Sequence, residues 1–454
     1  MKKFIKICYK CLRGIYRVLP LSTSTRIKIK GFVIRGLSKF QNSLGYNGTI
    51  VGSQYSFDAE NLDIKDEIIN IYTQYVDDIL QTGKRCDEFV EYKENHIAFT
   101  DKDVKPIAFY LPQFYTFPEN DEWWGKGFTE WTNVTKSMPR FLGHYQPHLP
   151  YDSTFYDLNN VEILKGQVSL AKNYGIYGFC FHYYWFSGKR LLEKPLNNFL
   201  KTKEGLDFPF CISWANENWS RRWDGSDQEI LMAQKHSDED DLACIADICQ
   251  YVRDERYIRI KGKPLIIIYN ASLLPDANKT IKIWRDYCKE NGIGDICLAG
   301  AQTNPTKDPL VYDFDEAVEF PPHYYWLAAS NITQKMTPIT DKHGLSIYDM
   351  EEYIEQKRHY SIQPEKIYKS IFPNWDNTPR KGTNGIVFQM NPQLYKKWLL
   401  DIINYTKENR ESGDRFIFIN AWNEWAEGAH LEPDRKYGYA NLQATADAIC
   451  ELRE

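Results

Sequence analysis

Two glutamates, Glu424 and Glu427, lie three residues apart near the carboxyl end of the chain. They follow Phe416–Asn420, a short run of β-branched and aromatic residues that indicates a buried strand. Trp422 and Trp425 flank the two acids. An apolar wall of this kind can keep one carboxyl group protonated while its neighbour stays ionised. The pattern predicts a site that breaks or forms a glycosidic bond.

The three-residue spacing also predicts the stereochemical course. On a helical turn it would place the two Cβ atoms roughly 5–6 Å apart. Retaining glycosidases hold their carboxyl groups ~5–5.5 Å apart, whereas inverting enzymes need ~6.5–9.5 Å to admit a water. One glutamate would then be the general acid/base, and the other a nucleophile or a base acting on a substrate hydroxyl. The alternative is a glutamate pair that only neutralises Arg221 or Arg222 at a helix N-terminus.

Polar and aromatic residues follow most of the other predicted strands as well. Aromatic rings suit the C–H face of a pyranose, and polar groups orient its hydroxyls. Glu217 is a second candidate acid/base, but the positive charges of Arg221 and Arg222 beside it favour a binding role. The predicted substrate-binding residues are Tyr110, Gln113, Trp131, His182, Tyr184, Trp214, Asn216, Glu217, Trp219, Arg221, Trp223, His323, Tyr324, Trp422, Asn423 and Trp425.

The elements that must position these residues alternate between apolar strands and amphipathic helices. The alternation predicts an α/β protein with a (β/α)8 TIM-like barrel over residues 105–454. The predicted strands are Ile107–Leu111, Tyr177–Phe181, Phe210–Trp214, Leu265–Tyr269, Ile296–Ala299, Glu316–Phe320, Ile367–Phe372 and Phe416–Ile419. The predicted helices are Asn61–Leu80, Val161–Tyr174, Leu191–Lys203, Asp238–Arg256, Thr280–Asn291, Ile347–His359, Pro392–Asn409 and Tyr439–Leu452.

Residues 1–57 contain no Asp or Glu, and their basic and apolar residues alternate at helical spacing. The spacing predicts a basic amphipathic arm over residues 1–45 that lies on an anionic membrane surface, at roughly 1 kcal/mol per basic residue. The alternative is a basic helix packed on the protein itself. A helical linker region is predicted over residues 46–104. Ten scattered cysteines and the basic arm together predict a cytoplasmic protein, peripheral at the inner face of the cell membrane.

Several other functions receive no support from the sequence. The net charge of −5 argues against nucleic acid as a partner. Neither a P-loop nor a G-x-G-x-x-G sequence occurs, so no cofactor is predicted. No metal site is predicted either, because His430, Glu432 and Asp434 share no familiar ligand spacing. Asp313 and Asp315 have the D-x-D form of metal-dependent nucleotide-sugar transferases, which is common by chance.

Five long segments resemble the WbsX family, whose members are treated as glycosyltransferases of bacterial O-antigen and capsule synthesis. The segments are IAFYLPQF from Ile107, WWGKGFTEW from Trp123, YGIYGFCFHYYWF ending at Phe186, FPFCISWANENWSRRWDG ending at Gly225, and FINAWNEWAEGAHLEPD ending at Asp434. The resemblance spans about Lys105 to Asn441. The basic segment IYRVLPLSTSTRIKIK also resembles a leader on some rhamnan-type polysaccharide glycosyltransferases.

The WbsX domain is in turn similar to the family 99 glycoside hydrolases, which are retaining endo-α-mannosidases with a (β/α)8 fold. Their Glu-Trp-x-Glu-Gly motif corresponds to Glu424–Gly428 here. The resemblance implies that Glu424 acts as base on the sugar 2-hydroxyl and gives a 1,2-anhydro intermediate. It implies that Glu427 is the acid/base for the leaving and incoming oxygens.

Three functions are compatible with these residues. The first is retaining glycosyl transfer in surface polysaccharide synthesis, with a saccharide donor and a free or lipid-linked glycan acceptor. The second is hydrolysis of an α-glycan by an endo-α-mannosidase-like enzyme, which differs only in using water as the acceptor. The third is a carbohydrate-binding barrel without catalytic activity.

Overall fold

The computed structural model describes residues 62–81, 83–152, 154–221, 226–303, 308–323, 325–339, 344–358 and 366–453. From Glu67 onward the chain forms one compact unit. The predicted arm over residues 1–45 and the first part of the predicted linker lie outside the described residues. So do Arg222, Trp223 and Tyr324, and the side chain of Arg221 is likewise outside them.

Eight parallel strands form a barrel, as the sequence predicted. Each strand is hydrogen-bonded to the next along the chain, and β8 returns to pair with β1 at Ala108 and Ile419. Apolar runs form these strands because both faces of a parallel sheet are covered. The strands are β1 Lys105–Tyr110, β2 Gly178–Phe186, β3 Phe210–Trp214, β4 Lys263–Ile268, β5 Cys297–Gln302, β6 Glu316–Glu319, β7 Ile367–Tyr368 with Ser370–Ile371, and β8 Phe416–Ile419.

The seventh strand closes the barrel in two halves. Ile367–Tyr368 pairs with β6, whereas Ser370–Ile371 pairs with β8. Lys369 lies between the halves, and its backbone oxygen accepts a hydrogen bond from Phe418 of β8. The buried Lys369 ammonium pairs with the Glu319 carboxylate of β6. This ion pair satisfies two charges that would otherwise be buried alone in the wall of the barrel.

Helices cover the outside of the barrel, and their bounds confirm most of the predicted helices. No helix among the described residues has the length and apolar character needed to cross a membrane. Between β5 and β6 only a short 3-10 turn, Pro309–Val311, is present. The α-helices are α1 Leu62–Gln81, α2 Pro118–Trp124, α3 Glu130–Thr135, α4 Val161–Asn173, α5 Glu193–Lys201, α6 Asp238–Val252, α7 Ala277–Glu290, α8 Glu351–Glu355, α9 Thr378–Lys381, α10 Pro392–Asn409 and α11 Ala440–Glu451.

The predicted helix Ile347–His359 is wrong over its first half. Ser346–Asp349 is a strand that pairs with Ile386–Gln389, and the Tyr348 and Phe388 rings stack with centroids 5.0 Å apart. β-Branched and aromatic residues fit such a pleated surface better than a helix. Only α8 is helical here. The strands of this small side sheet are Ser330–Asn331, Ser346–Asp349, Trp375–Asp376 and Ile386–Gln389.

Side chains of the barrel strands alternate between the interior and the helical layer. Phe109 of β1 contacts Phe418 of β8 and also Phe320, which follows β6 on the far side of the barrel. Phe109 therefore points inward. Its neighbour Tyr110 points outward, because its hydroxyl donates to Gln167 of α4 at 2.7 Å. This alternation decides which of the predicted site residues can reach the barrel mouth.

Candidate active site

The two glutamates lie on a tight hairpin that follows β8. Asn423–Glu424 pairs antiparallel with Ala429–His430, and the turn between them is the 3-10 segment Trp425–Glu427. Gly428 has a φ of +64°, and a Cβ there would lie 3.0 Å from the backbone nitrogen of Asp376. The predicted α-helical turn is therefore replaced by a hairpin, which turns both acids toward the same neighbour.

That neighbour is Arg380 of α9, which binds three carboxylates at once. Its Nη1 donates to Glu427 Oε1 at 2.5 Å, and its Nη2 donates to Glu424 Oε2 at 2.9 Å. Nη2 also lies 3.1 Å from Oε2 of Glu130. Arg380 and Glu424 are each 9% exposed, Glu427 is 22% exposed, and Glu130 is fully buried. Among the described side chains, the arginine with which the glutamates pair is Arg380.

The charges of this cluster do not balance if every group is ionised, because one guanidinium faces three carboxylates. Burial raises the pKa of Glu424 to about 8, with the nearby Glu427 charge acting in the same direction and Arg380 opposing both. Burial also raises the pKa of Glu427, again against the effect of Arg380. The raised pKa values of Glu424 and Glu427 therefore favour one bound proton on the cluster at neutral pH.

Tyr184 and His182 of β2 lie beside the cluster. Burial and the negative charge of Glu424 raise the pKa of Tyr184, so its hydroxyl remains a hydrogen-bond donor. Burial and the positive charge of Arg380 lower the pKa of His182 to about 4, so its ring is neutral. The buried Nδ1 of His182 has no hydrogen-bond partner among the described residues. A neutral imidazole with an open ring nitrogen is suited to bind a sugar hydroxyl.

Aromatic rings form one wall of the site. Trp219 lies 5.3 Å from the Tyr184 ring and 5.4 Å from the Trp123 ring, measured between centroids. On another side, His323 packs against Phe320, whose ring also contacts that of His182. The structure thus brings His182, Tyr184, Trp219, His323, Glu424 and Glu427 to the carboxyl end of the barrel, where (β/α)8 enzymes have their active sites.

Three predicted substrate contacts are contradicted because the side chains are fully buried against neighbouring elements. Tyr110 binds Gln167 of α4. Trp214 is fully buried against Trp284 of α7, with ring centroids 5.3 Å apart. Trp422 is fully buried against Phe179 of β2, at 5.2 Å. Tyr110 lies one position away from the inward-facing Phe109, and all three rings stabilise the barrel.

Four further predicted contacts are occupied in holding the loops. Asn423 exchanges two hydrogen bonds with the backbone of Leu111, and Asn216 does the same with Asn270. The Trp131 indole donates to the Tyr156 backbone oxygen at 2.9 Å, and the Trp425 indole donates to Glu432 at 2.7 Å. These four residues position the site and do not line it.

Two more predicted residues lie near the barrel mouth. Gln113 is buried beside α3, where its backbone oxygen accepts from Glu130, and its side-chain Nε2 has no partner among the described residues. Glu217 is half-buried, and its backbone oxygen accepts from Gln234. Gln113 stays a candidate contact because an orphaned buried amide calls for a ligand.

Sequence reasoning missed Arg380 and Glu130. Both are separated from the glutamate pair by long stretches of chain, so no local spacing connects them. Charge balance was the available signal, since buried carboxylates at one end of a barrel need a cation. Arg380 is the first basic residue after the seventh strand, in the loop that carries Asp376.

The fully buried carboxylate of Glu432 links the hairpin to the neighbouring helix α4. It accepts hydrogen bonds from the Trp425 indole, from the Tyr156 hydroxyl at 2.8 Å and from the Gln167 amide at 2.7 Å. Burial raises the pKa of Glu432 to about 7, against the effect of these donors. All of its partners are neutral, so Glu432 anchors the hairpin to α4 without a charge partner.

The D-x-D sequence does not form a metal site among the described residues. Asp315 accepts from Arg285 at 2.7 Å and from the Leu298 backbone at 2.8 Å, so its carboxylate links α7 to β5. Asp313 is exposed on the surface. Asp315 therefore serves the structure of the helical layer.

A family model and two curated relatives match the sequence. The family model for Glycosyltransferase WbsX matches residues 106–445. Two relatives called Uncharacterized protein WxcX, from two strains of Xanthomonas campestris pv. campestris, are each 43% identical over 344 residues, which is 76% of this chain and 49% of theirs. The chain spans about half the length of these curated relatives.

Solved structures are similar at low sequence identity. One is a glycoside hydrolase-like protein, with 14% identity and a TM-score of 0.49 over 80% of this chain and 98% of that chain. Another is the GH99 endo-alpha-mannosidase from Bacteroides thetaiotaomicron, with 16% identity and a TM-score of 0.47 over 78% of this chain and 98% of that chain.

A parallel barrel with buried acids, an arginine and aromatic rings at its carboxyl end is the construction of a carbohydrate-active enzyme. The match over residues 106–445 agrees with that class. The chain belongs to the WbsX glycosyltransferase family.

The proton on the glutamate cluster predicts a pH effect on stability. Glu424 keeps its proton up to about pH 8 in the folded chain but loses it near its ordinary 4.5 in the unfolded chain. Its stabilising contribution is therefore complete below pH 4.5 and disappears as the pH rises through 8. We expect the unfolding free energy to fall between pH 7 and 9, with Glu424 contributing about 1 kcal/mol of the fall.

Urea unfolding of the wild type and of Glu424→Gln at pH 7 and at pH 9 measures this contribution. Glutamine carries no titrating proton, so the variant should show the smaller fall. Glu162→Gln, on the surface of α4, is the control and should follow the wild type. Equal falls in the wild type and in Glu424→Gln would contradict the raised pKa.

Proposed function

We propose that this protein transfers glycosyl groups with retention of configuration in the synthesis of a bacterial surface polysaccharide such as O-antigen or capsule. Membership of the WbsX family supports this function. The convergence of the Glu424 and Glu427 carboxylates on one Arg380 guanidinium supports the mechanism. The donor is a saccharide, and the acceptor is the hydroxyl of a growing glycan.

The hairpin geometry supports retention. Arg380 binds the two carboxylates through its two terminal nitrogens, so the acids are held close together on the same side of the guanidinium. Retaining enzymes need this short separation, whereas inverting enzymes leave room for a water between the carboxyl groups. The shared proton supplies the acid form to one member of the pair.

We assign the roles by depth. Glu427 is the more exposed acid and faces the leaving and incoming oxygens, and Glu424 is deeper, beside Tyr184. In the reacting complex the proton of the cluster lies on Glu427, so Glu424 is ionised and takes the proton of the sugar 2-hydroxyl, whose oxygen attacks C1. The C1 bond to the leaving oxygen breaks as Glu427 protonates that oxygen.

In the second step the acceptor hydroxyl gives its proton to Glu427 and attacks C1. The C1 bond to the 2-oxygen breaks, and that oxygen recovers its proton from Glu424. Two inversions at C1 give net retention, and both glutamates return to their starting states. Tyr184, His182 and Trp219 are placed to bind the sugar during these steps.

Product analysis tests the reaction. The purified full chain is incubated with nucleotide sugars, lipid-linked sugars and α-mannosides, and the products are followed by mass spectrometry. Growth of the glycan supports glycosyl transfer. Shortening of the glycan would contradict transfer and indicate that the same two glutamates catalyse hydrolysis. Binding of these compounds without turnover would contradict both reactions and indicate a carbohydrate-binding barrel without catalytic activity.

We also propose that residues 1–45 place the enzyme on the inner face of the cell membrane, near a lipid-linked acceptor. Their basic residues without acidic ones support binding to an anionic leaflet. Liposome sedimentation tests this with the full chain and with a chain lacking residues 1–45. Binding to anionic vesicles should be lost on deletion and should weaken with salt. A deletion that binds as the full chain does would overturn the placement.

A further inference from the structure

A second cluster of buried polar groups lies behind the catalytic hairpin. It consists of His148, which lies between α3 and α4, His430 in the second strand of the hairpin, and Asp434, which follows the hairpin. His148 Nδ1 is 2.9 Å from His430 Nε2, and His430 Nε2 is 3.8 Å from an Asp434 carboxylate oxygen. The three facing atoms all lie within 4.8 Å of one another, and the three residues are buried.

The hydrogen bonds of the two imidazoles fix where their protons lie. His430 Nδ1 is 2.9 Å from the backbone oxygen of Glu432, so this nitrogen must carry the proton and donate. His148 Nε2 is 3.1 Å from the backbone oxygen of Tyr145, so it also donates. In neutral imidazoles the remaining nitrogens, His148 Nδ1 and His430 Nε2, then carry only lone pairs.

Two lone pairs facing each other at 2.9 Å repel unless a cation lies between them. The third group in the cluster is a carboxylate, which adds negative charge at the same point. Asp434 Oδ1 is already held by the backbone N–H groups of Lys436 and Tyr437, at 2.9 and 2.7 Å. Its Oδ2 faces the imidazoles. The three groups thus present two nitrogen donors and one oxygen donor to one small volume.

We propose that His148, His430 and Asp434 bind a divalent transition-metal ion of the zinc type. Two imidazoles and one carboxylate are ligands that Zn²⁺ accepts in tetrahedral sites, at about 2.0–2.2 Å. Each ligand is oriented by an outer hydrogen bond to the backbone, as metal-binding histidines characteristically are. The nitrogens must separate slightly to admit the ion. His148, His430 and Asp434 also line a small cavity, whose other polar lining residues include Asn374, Asn391 and Asn441.

The ion would brace the catalytic hairpin. The Trp425 ring, between the two glutamates in sequence, stacks on the His430 ring with centroids 3.8 Å apart. His430 itself pairs with Asn423 in the hairpin ladder. A metal that ties His430 to His148 and Asp434 would therefore fix the hairpin against a segment distant in sequence. The inference does not depend on the proposed reaction, because metal content is measured without substrate.

Metal analysis of the full chain tests the site. The chain is stripped with dipicolinate, reloaded with Zn²⁺ or Co²⁺, desalted and measured by plasma mass spectrometry. We expect about one ion per chain, with the visible absorption of four-coordinate Co²⁺ and a higher Tm than the stripped chain. His148→Gln and Asp434→Asn should each hold at least about tenfold less metal.

His144→Gln is the matched control, because His144 is a buried histidine that pairs with Asp376 and not with the cluster. It should load as the wild type does. Equal loading of the His148 and Asp434 variants would place the ion elsewhere, for example on cysteines, and overturn the site. A wild-type chain that takes up no Zn²⁺ or Co²⁺ would also overturn the site. The two facing nitrogens would then share a proton on one imidazole, in place of a metal ion. If a variant fails to fold, the Co²⁺ spectrum of the wild type still decides the question, because thiolate ligands add an intense near-ultraviolet absorption that nitrogen and oxygen ligands lack.

Discussion

Glu427→Gln should lower the rate of glycosyl transfer by roughly 10²–10⁴-fold, the usual contribution of a general acid/base. Glutamine has nearly the same shape and can still accept from Arg380, so the hairpin should keep its position. The amide cannot protonate a leaving oxygen or deprotonate an acceptor. The loss should therefore appear mainly in kcat, with a small change in KM.

A change of leaving group separates the roles of the two acids. A glycosyl fluoride needs little proton assistance to depart, so it should restore much of the first step in Glu427→Gln. Glu424→Gln should not be rescued, because its defect lies at the sugar 2-hydroxyl. Glu162→Gln on the surface of α4 is the control for both variants. Near-wild-type transfer by Glu427→Gln with an unactivated donor would remove this residue from the reaction.

The barrel could be predicted because most of its strands are continuous apolar runs, such as Leu265–Tyr269, and these runs alternate with amphipathic helices. The two-part β7 could not be predicted in this way. Its break at Lys369 depends on Glu319, a residue of the neighbouring strand. The strand Ser346–Asp349 was mistaken for helix for the same reason, since its partner lies 40 residues further on.

The glutamate pair could be predicted because both acids lie in one short segment. The residues that surround the pair in the fold could be predicted only in part. Which face of a strand looks into a barrel is set by closure, and a shift of one position reverses it. Tyr110 and Trp214 have the right composition for a sugar site and lie on the wrong face. Arg380 and His148 reach their partners only through the fold, so no spacing in the sequence reveals them.

Arg380→Met should abolish measurable transfer and destabilise the protein by about 3–5 kcal/mol, because removing one partner of a buried ion pair leaves uncompensated charge. Glu130, Glu424 and Glu427 would then face one another without the cation that now lowers the pKa values of Glu424 and Glu427. Urea unfolding measures the loss. Arg85→Met, which breaks the exposed pair with Glu91, is the matched control and should cost no more than about 1 kcal/mol.

The cost of Arg380→Met should also depend on pH. Without the arginine the carboxyl pKa values rise further, so the folded chain must either hold extra protons or tolerate buried like charges. Protons are scarce at pH 9, so the destabilisation should be larger there than at pH 6. Adding Glu424→Gln to Arg380→Met removes one of the repelling charges and should recover part of the loss, most clearly at pH 9. A double variant that is no more stable than Arg380→Met would mean that the guanidinium stabilises the barrel mouth by packing alone. In that case its position between the two glutamates would have no electrostatic role in holding their shared proton.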